Sequence, residues 1–566
     1  MRTAPVCVVL FVGALLAASC TAKHGATASR AVVTATTAPS ATPAASATGT
    51  PFALGIEYTE RGLAQPFGAA GITWAKTRLE AFAWGAIEPK APVGGTHAYD
   101  WSCTDALVSE YQGAGMVNLQ SYISTVSPWG DDVGRAPAPS AAHADDFRAF
   151  VTALVERYDG DGRDDAPGLR AGIHDWVVGG EWTGYWQSRS ADDYVETLRV
   201  ASSAIRAADP TARIGAIPFM LYDVFGGSPS ASEIQRRLAD PPPTYRNSTK
   251  GMFQIMDASE SWDYLDVHSL GDYTEIEPLI QWMRAQLAAR HLDRPIWIDD
   301  AFPTSLMVNR PLPTMGWPTF SPVAPNRSDA VHNALLAVAD RDEAAMQWID
   351  GEVAKGVVYK AVVAFAAGAR GINVGNTEDW AQDDVTGLRQ VSANLLGAAA
   401  FSGLIDVVHN VGYQACQPRR AGPSRPALAN LTLIAGVLRD ATAVERVPSP
   451  PQIRAYRVTR AQGVTYVVWA EDGTLQLPGE TEATVPYALA VAGATRVQLR
   501  VSALDTTTIA TSTVDAPDGV VALTLSSRPV IVGQGPERPP AERGTRSEAS
   551  GDRRGALLLA RGVLDR

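Results

Sequence analysis

Residues 176–217 read WVVGGEWTGYWQSRSADDYVETLRVASSAIRAADPTARIGAI and contain one complete strand–helix–strand unit. The apolar run at 176–178 predicts a buried strand, and Ser190 with Asp193 forms the capping-box pattern that begins a helix. Asp209 and Pro210 end that helix, because the residue before a proline disfavours helical geometry, and a further β-rich run follows at 213–217. Apolar side chains recur between these ends at helical spacing, namely Tyr194, Leu198, Ala201, Ile205 and Ala208.

The same alternation of short β-rich runs and helical stretches continues from about residue 52 to residue 406. Eight such runs in this length predict an α/β fold, a (β/α)8 TIM barrel over residues 51–410. The runs are 52–56, 72–75, 117–119, 176–178, 213–217, 265–267, 295–298 and 371–374.

Beyond residue 428 the pattern changes to β-rich runs separated by Gly, Asp or Pro, with no convincing long helix between them. The sequence therefore predicts a C-terminal all-β sandwich domain over 428–533. Residues 534–566 are rich in Arg, Glu, Gly and Pro, which predicts a disordered tail.

The amino terminus has the proportions of an export signal. Arg2 precedes an apolar stretch that is too short to span a bilayer, and residues 16–20 (LAASC) resemble a bacterial lipobox, although Ala17 stands where Leu, Val or Ile is usual. We expect a lipoprotein signal peptide at 1–19, lipidation of Cys20 and a disordered Ala/Thr/Ser/Pro tether over 20–50. The protein would then be an exported membrane lipoprotein facing outside the cytoplasm; plain secretion is the alternative.

Charge and cysteine content narrow the partners and the compartment. The 566 residues carry a net charge of −12 with no basic cluster, which argues against a nucleic-acid partner. Of the four cysteines, Cys7 and Cys20 belong to the leader. Cys103 and Cys416 remain as a candidate disulfide in an oxidising compartment, but the sequence does not show whether the two approach each other.

Reactive side chains are expected where the barrel strands end, because the loops at the carboxyl ends form the cleft of this fold. Three predicted strands end there in Glu181, His268 and Asp300. Two carboxylates that converge from different strands suit glycosidic cleavage, since one protonates the leaving oxygen and the other attacks the sugar or activates water. This chemistry requires no cofactor or metal ion. Aromatic faces pack on sugar rings, and three aromatic residues follow the first carboxylate: Trp182, Tyr185 and Trp186.

Several further segments, in this order and spacing, carry a resemblance to a known family. They are 84–89 (WGAIEP), Gly95, 99–101 (YDW), the strand of Glu181, 204–210 (AIRAADP), 266–268 (DVH) and 295–298 (PIWI). Over roughly residues 52–533 the chain resembles the clan A retaining glycoside hydrolases, the group that contains β-xylosidases, β-galactosidases and endoglucanases.

The resemblance implies a role for individual residues. Glu181 falls at the acid/base position after the fourth strand, and Asp300 falls at the nucleophile position after the seventh. His268, on the sixth strand, would lie near the nucleophile. The remaining predicted substrate contacts are Lys76, where the family often has a strand-two Arg, Trp84, Tyr273, and Trp380 after the eighth strand.

Three positions depart from the family pattern. Gly180 replaces the Asn that binds the sugar 2-hydroxyl, and Leu270 replaces a Tyr, with Tyr273 as the candidate substitute. Asp300 replaces Glu and is one methylene shorter. A shorter nucleophile would widen the carboxylate gap by about 1 Å or more, from the roughly 5 Å of retaining enzymes toward the 6.5 Å of inverting ones.

Structural roles are the alternative for most of these residues. Glu181 could cap a helix or form a salt bridge, Asp300 could cap the following loop, and His268 could be a core histidine. Trp84 and Trp380 could pack at the barrel rim. The acidic loop at 159–165 (DGDGRDD) suits calcium, but it lacks the length and terminal Glu of an EF-hand loop, so we favour a surface turn.

Three hypotheses for function follow from these residues and patterns. The first is a glycosidase at the cell surface that acts on an oligo- or polysaccharide with Glu181 and Asp300. The second is a catalytically impaired barrel that binds glycans, motivated by the three departures. The third is a transporter's solute-binding lipoprotein, which predicts two similar lobes and no C-terminal β domain; the repeated βα units argue against it.

Overall fold

The computed structural model describes residues 52–131, 138–182, 190–221, 224–239, 249, 251–304, 327–381, 388–408, 416–471 and 474–534. The predicted signal peptide (1–19), lipidated Cys20, the tether (20–50) and all but the first residue of the predicted tail (534–566) lie outside this range. Of the helices that the structure describes, none combines the length and the apolar character that crossing a bilayer requires.

The first part of the chain forms a closed parallel sheet with its helices outside. The strands are β1 (Ala53–Glu57), β2 (Trp74–Lys76), β3 (Asn118–Ile123), β4 (Asp175–Val178), β5 (Arg213–Gly215), β6 (Phe219–Met220), β7 (Leu265–Ser269), β8 (Ile296–Ala301) and β9 (Gly371–Asn376). Their order is β5-β4-β3-β2-β1-β9-β8-β7-β6, and every pairing is parallel.

The two edges of this sheet meet at the fifth barrel position, which β5 and β6 share. A bridge from Gly215 to Tyr264 closes the gap, supported by hydrogen bonds from Asp263 N to Ile214 O (2.6 Å) and from Ala216 N to Tyr264 O (3.1 Å). The eight barrel positions coincide with the eight β-rich runs of the sequence. The predicted (β/α)8 barrel is confirmed.

The helices of the described residues follow the strands in the alternating order that the sequence predicted. They are α1 (Ala64–Ala69), α2 (Trp84–Ile87), α3 (Ser102–Gly113), α4 (Ala144–Tyr158), α5 (Ala191–Ala208), α6 (Ala231–Ala239), α7 (Met252–Asp257), α8 (Ile276–Ala288), α9 (Ser328–Ala339), α10 (Glu343–Ala366), α11 (Leu388–Leu396) and α12 (Pro426–Leu438).

Helix α5 shows why the quoted stretch folds as it does. The Ser190 hydroxyl accepts the Asp193 backbone N–H (3.1 Å), and the Asp193 carboxylate accepts the Ser190 N–H (3.3 Å), which is the predicted capping box. Tyr194, Leu198 and Ile205 are buried on one face of the helix. These residues join the large apolar core between the strands and the helix ring.

The β domain was predicted to begin at residue 428, but α12 continues to Leu438 and the first strand of that domain begins at Ala441. The sequence of α12 (PALANLTLIAGVL) is apolar on nearly every side, since it packs both on α10 and under the β domain. Asn430 makes this joint specific: its side chain donates to the carbonyls of Ala354 (2.9 Å) and Ala503 (3.0 Å). A helix buried all round has no polar face for periodicity to detect.

The remainder is antiparallel β-structure. A pair of strands, β10 (Ile405–Val408) and β11 (Arg420–Ser424), precedes α12. A sheet of order β12-β13-β14-β19-β16-β17 and a pair β15-β18 then share one apolar core, as in a sandwich. These strands are β12 (Ala441–Arg446), β13 (Ile453–Arg460), β14 (Gly463–Ala470), β15 (Val485–Ala490), β16 (Arg496–Val501), β17 (Ala510–Asp515), β18 (Val520–Leu525) and β19 (Val530–Gln534). The predicted C-terminal β domain is confirmed.

A disulfide joins Cys103, in α3, to Cys416, with their Cα atoms 5.4 Å apart. The sequence left this pairing open, and the fold decides it by bringing the chain before β11 back onto the first part of the barrel. The backbone N–H of Arg419 donates to the carbonyl of Arg61 at 2.7 Å and extends the same junction.

Candidate active site

Glu181, His268 and Asp300 meet at the carboxyl end of the barrel. The imidazole lies between the two carboxylates: Nδ1 is 2.8 Å from Glu181 Oε1 and 3.7 Å from Asp300 Oδ2. One oxygen of Glu181 and one oxygen of Asp300 lie within 4.8 Å of each other. About 22% of the Glu181 side chain is exposed, against 5% for Asp300, so the pair has one accessible and one buried member.

Local backbone geometry places each carboxylate. After β4, Gly179 adopts a left-handed conformation (φ 86°), and the chain turns toward the cleft before Glu181. In β8 the register with β7 shifts, because Val267 pairs with Ile298 and His268 pairs with Asp300. Asp299 is therefore an extra residue in the strand, and this bulge lets two consecutive carboxylates face the same imidazole.

Asp299 contacts the imidazole at Nε2, the nitrogen that does not face Glu181. Its Oδ1 lies 2.8 Å from His268 Nε2, and its Oδ2 accepts the Tyr122 hydroxyl at 3.0 Å and lies 3.5 Å from Lys76 Nζ. Burial alone would raise the pKa of Asp299, but Lys76 and His268 lower it below its usual range. Burial likewise disfavours the charged imidazole, yet Asp299, Asp300 and Glu181 raise the pKa of His268 well above its ordinary value. The surrounding carboxylates therefore favour the charged form of the imidazole.

A fourth carboxyl group in the site, Glu57, was not predicted. It ends β1, is fully buried, and its Oε1 accepts Lys76 Nζ at 2.9 Å. Burial and the neighbouring Asp300 raise the pKa of Glu57 well above its usual value. The rule that pointed to the other strand ends applies to Glu57 as well, since it follows directly on the run 52–56.

The predicted role of Lys76 in binding substrate is corrected. Its ammonium group is buried (1% exposed) between the rings of Tyr58 and Tyr122, at 5.0 and 4.9 Å from their centroids. Its charge serves Glu57 and Asp299, so Lys76 is an internal counter-ion of the site.

Two of the predicted aromatic contacts are core residues instead. Trp84 has no exposed surface; it packs edge-on against Trp129 and its indole N–H donates to Glu88 at 3.0 Å. Trp182 is only 6% exposed and packs against Tyr194. Neither ring offers a face to a sugar, because the apolar core between the strands and helices takes up both.

Tyr273 is also displaced from its predicted position. Its hydroxyl donates to the Glu471 carboxylate and accepts the Trp469 indole N–H at 3.3 Å, so the side chain joins the barrel to the β domain rather than reaching the nucleophile. Trp380 is 37% exposed and packs edge-on against Phe302, which follows β8, so its predicted sugar contact stays a prediction. Tyr185 and Trp186 lie outside the described residues.

The acidic loop at 159–165 behaves as a surface turn. Asp159 accepts the N–H of Asp161 (3.0 Å), and Asp165 accepts those of Gly160 (3.0 Å) and Gly162 (2.8 Å). Glu156, Asp159 and Asp161 do bring three carboxylate oxygens within 4.8 Å of one another. The backbone bonds account for the acidic composition of the loop without a cation, as a turn requires.

Comparison with known proteins gives the fold. No protein-family model and no curated protein sequence matches the chain. A solved structure of a family 39 glycoside hydrolase from the gut symbiont Bacteroides cellulosilyticus WH2 superposes with a TM-score of 0.51 at 12% identity, covering 86% of this chain and 81% of that one. A glucosidase from Croceicoccus marinus has a TM-score of 0.48 at 12% identity, over 84% of this chain and 94% of its own. At such identity the likeness concerns architecture, and this chain shares the (β/α)8 barrel with C-terminal β domain of a family 39 glycoside hydrolase.

Proposed function

We propose that the protein is a glycosidase that hydrolyses O-glycosidic bonds of an oligo- or polysaccharide. The single observation that carries the proposal is that Glu181 and Asp300, from two strand ends, bring carboxylate oxygens within 4.8 Å of each other at the carboxyl end of the barrel. Two carboxyl groups about 5–5.5 Å apart are the arrangement that cleaves a glycosidic bond with retention.

We assign the roles of Glu181 and Asp300 from the exposed fractions of their side chains. Glu181 is the more accessible and would protonate the leaving oxygen, whereas Asp300 lies deeper and would attack the sugar carbon. In the second half of the reaction Glu181 would take a proton from the incoming water. Oxygens within 4.8 Å of each other are nearer the spacing of retaining enzymes than that of inverting ones, so we propose the retaining mechanism.

His268 would position both carboxylates during this sequence. Its Nδ1 lies 2.8 Å from Glu181 and its Nε2 faces Asp299 at 2.8 Å, so the ring cannot rotate without breaking one of these contacts. A sugar hydroxyl or leaving oxygen that enters beside Glu181 would replace the imidazole as its hydrogen-bond partner. Glu181 could then exist as the acid that the first step needs.

The test is hydrolysis of a panel of aryl glycosides and of plant and bacterial polysaccharides. We expect Glu181→Gln to lower turnover roughly 100- to 10,000-fold, the usual contribution of a general acid–base residue. The matched control is Glu196→Gln, which changes an exposed glutamate paired with Arg199 on α5. Equal product release by wild type and Glu181→Gln would show that the assignment is wrong.

A catalytically impaired glycan-binding barrel is the second candidate. It is supported by Gly180 in place of the amide that binds the 2-hydroxyl, and by the ion pair that already engages Glu181. It predicts saturable glycan binding without turnover. In that case Gly180→Asn combined with Asp300→Glu should raise hydrolysis from background, whereas for an active glycosidase the same pair should lower it.

We further propose that the reaction takes place outside the cytoplasm, on a membrane-tethered protein. The support is the signal-like segment 1–19, the lipobox-like residues ending at Cys20 and the tether 20–50. Replacement of Cys20 by Ser should move the protein from the membrane fraction to the soluble exported fraction.

A further inference from the structure

We propose that Glu181, His268 and Asp300 form a binding site for a divalent transition-metal cation of the Zn²⁺ type, and that the cation and the sugar substrate exclude each other. The site is defined by three potential ligand atoms from different strand ends: the Nδ1 atom and one oxygen from each carboxylate, all within 4.8 Å of one another. The statement about exclusion rests on the proposed glycosidase function; the statement about the cation does not.

The surroundings of the imidazole favour a metal ligand. The Asp299 carboxylate forms an ion pair with Nε2 at 2.8 Å, and Nδ1 is directed at Glu181 and Asp300. A cation that binds here displaces the Nδ1 proton of the charged ring. Asp299 is itself held by the hydroxyl of Tyr122. A carboxylate behind the far nitrogen is the usual support of a metal-binding histidine, because it fixes the ring and makes the near nitrogen more basic.

Two buried carboxyl groups beside the site provide a second indication. Asp300 Oδ1 and Glu57 Oε2 receive no hydrogen bond from an N–H group of the described residues, although Asp300 is 4% exposed and Glu57 is fully buried. The ammonium group of Lys76 is used by Glu57 Oε1 and Asp299. Burial and Asp300 raise the pKa of Glu57, so a proton shared by the two carboxyl groups holds the place that a bound cation would take.

The donor set selects the class of cation. An imidazole nitrogen with carboxylate oxygens suits Zn²⁺ and related transition metals, whereas Ca²⁺ and Mg²⁺ prefer oxygen donors alone. Because Glu181 is partly exposed, the site opens to the cleft from its side, and ions can enter without unfolding of the barrel. A bound cation would engage both carboxylates that the proposed hydrolysis needs.

Calorimetry with ZnCl₂ on the full chain, stripped of metal with a chelator, tests the cation site directly. We expect one saturable site that Asp300→Asn weakens at least about tenfold, as loss of a metal-supporting group does. The matched control is Asp161→Asn in the acidic loop, where the described residues bring together a second group of ligand atoms, and it should leave Zn²⁺ binding at the His268 site unchanged. Circular dichroism would establish that both variants are folded.

The possible results distinguish the proposed cation site from the proposed glycosidase function. Absence of saturable Zn²⁺ binding, or equal binding by wild type and Asp300→Asn, would overturn the cation site whether or not the protein hydrolyses glycosides. If Zn²⁺ binds at this site, the hydrolysis rate on any active aryl glycoside should fall over the same concentration range and recover with chelator. A rate that rises with Zn²⁺, or one that does not change at saturation, would contradict the exclusion.

Discussion

Two of the charge clusters in the described residues are built on opposite principles. In one, Arg425 at the start of α12 donates to both oxygens of Asp379 (2.7 Å each) and to Asp406 (2.7 Å). In the other, the single imidazole of His268 is shared among Glu181, Asp299 and Asp300. In both clusters the cation is buried, with 5% of the Arg425 side chain and 2% of the His268 side chain exposed.

The difference lies in the supply of donors. The guanidinium of Arg425 has a rigid fork that matches the Asp379 carboxylate, and it also donates to the carbonyl of Gly403 at 3.0 Å. This cluster joins the segment after β9 to α12 and has a structural role. The His268 cluster has more carboxylate oxygens than donors and opens toward solvent through Glu181. A surplus of acceptors beside a cleft is costly for folding and useful for chemistry.

The two largest expected effects are of different kinds. A substitution in the Arg425 cluster should change stability, and a substitution in the His268 cluster should change turnover. Arg425→Leu should lower the free energy of unfolding by about 3–5 kcal/mol, because it removes the buried cation that donates to both oxygens of the largely buried Asp379. Turnover per folded molecule should stay unchanged, whereas Glu181→Gln should lose turnover and keep its stability. Urea unfolding and hydrolysis of both variants measure this.

Arg425→Lys serves as the control, since it keeps the charge but loses the fork and should be destabilised less than Arg425→Leu. The comparison fails if Arg425→Leu unfolds like wild type, or if it loses turnover as Glu181→Gln does.

An intermediate effect is expected from the disulfide. The bond between Cys103 and Cys416 closes a sequence separation of 313 residues and holds the segment that leads into Arg419 and Arg425. Cys103→Ser should lower the free energy of unfolding by about 2–5 kcal/mol and affect the Arg425 side of the molecule first. Thiol-reducing agent should destabilise wild type but cause no further change in the variant, and no effect on wild type would contradict the role.

The smallest expected effect concerns a buried lysine beside the His268 cluster. Lys360, in α10, is fully buried, and its ammonium group donates to the carbonyl (2.5 Å) and hydroxyl (3.1 Å) of Ser269, next to His268. Burial lowers the pKa of Lys360 from 10.5 to about 8. Between these values the unfolded chain binds more protons than the native one, so stability should rise with pH, by up to about 1.4 kcal/mol per pH unit.

Lys360→Met should remove this rise, as followed by urea unfolding from about pH 7 to about pH 10. Lys355→Met is the matched control on the same helix, because Lys355 forms an ion pair with Glu352. Identical pH dependence in wild type and Lys360→Met would show that the lysine keeps an ordinary pKa in the fold.

Particular residues show how much of the site could be predicted from the sequence. Glu181, His268 and Asp300 could be expected to meet, because parallel strands present their carboxyl ends at one edge of a barrel. Glu57 obeys the same rule but was not predicted, although it ends its strand and Tyr58 follows it directly. The predictions for Trp84 and Trp182 were wrong because an aromatic beside a carboxylate has the same sequence signature on a cleft wall and in a core.

The sequence by itself determined the architecture: the order of β-rich and helical segments, the capping box before α5 and the proline after it are local properties of the chain. Only the tertiary structure decided which charges meet. Three features depend on groups far apart in the chain: the bulge that turns both Asp299 and Asp300 toward His268, the burial of Lys76 beside Glu57 and Asp299, and the contact of Cys103 with Cys416. Local periodicity carries no information about such pairings, because they arise from the closure of the barrel and the packing of the β domain against it.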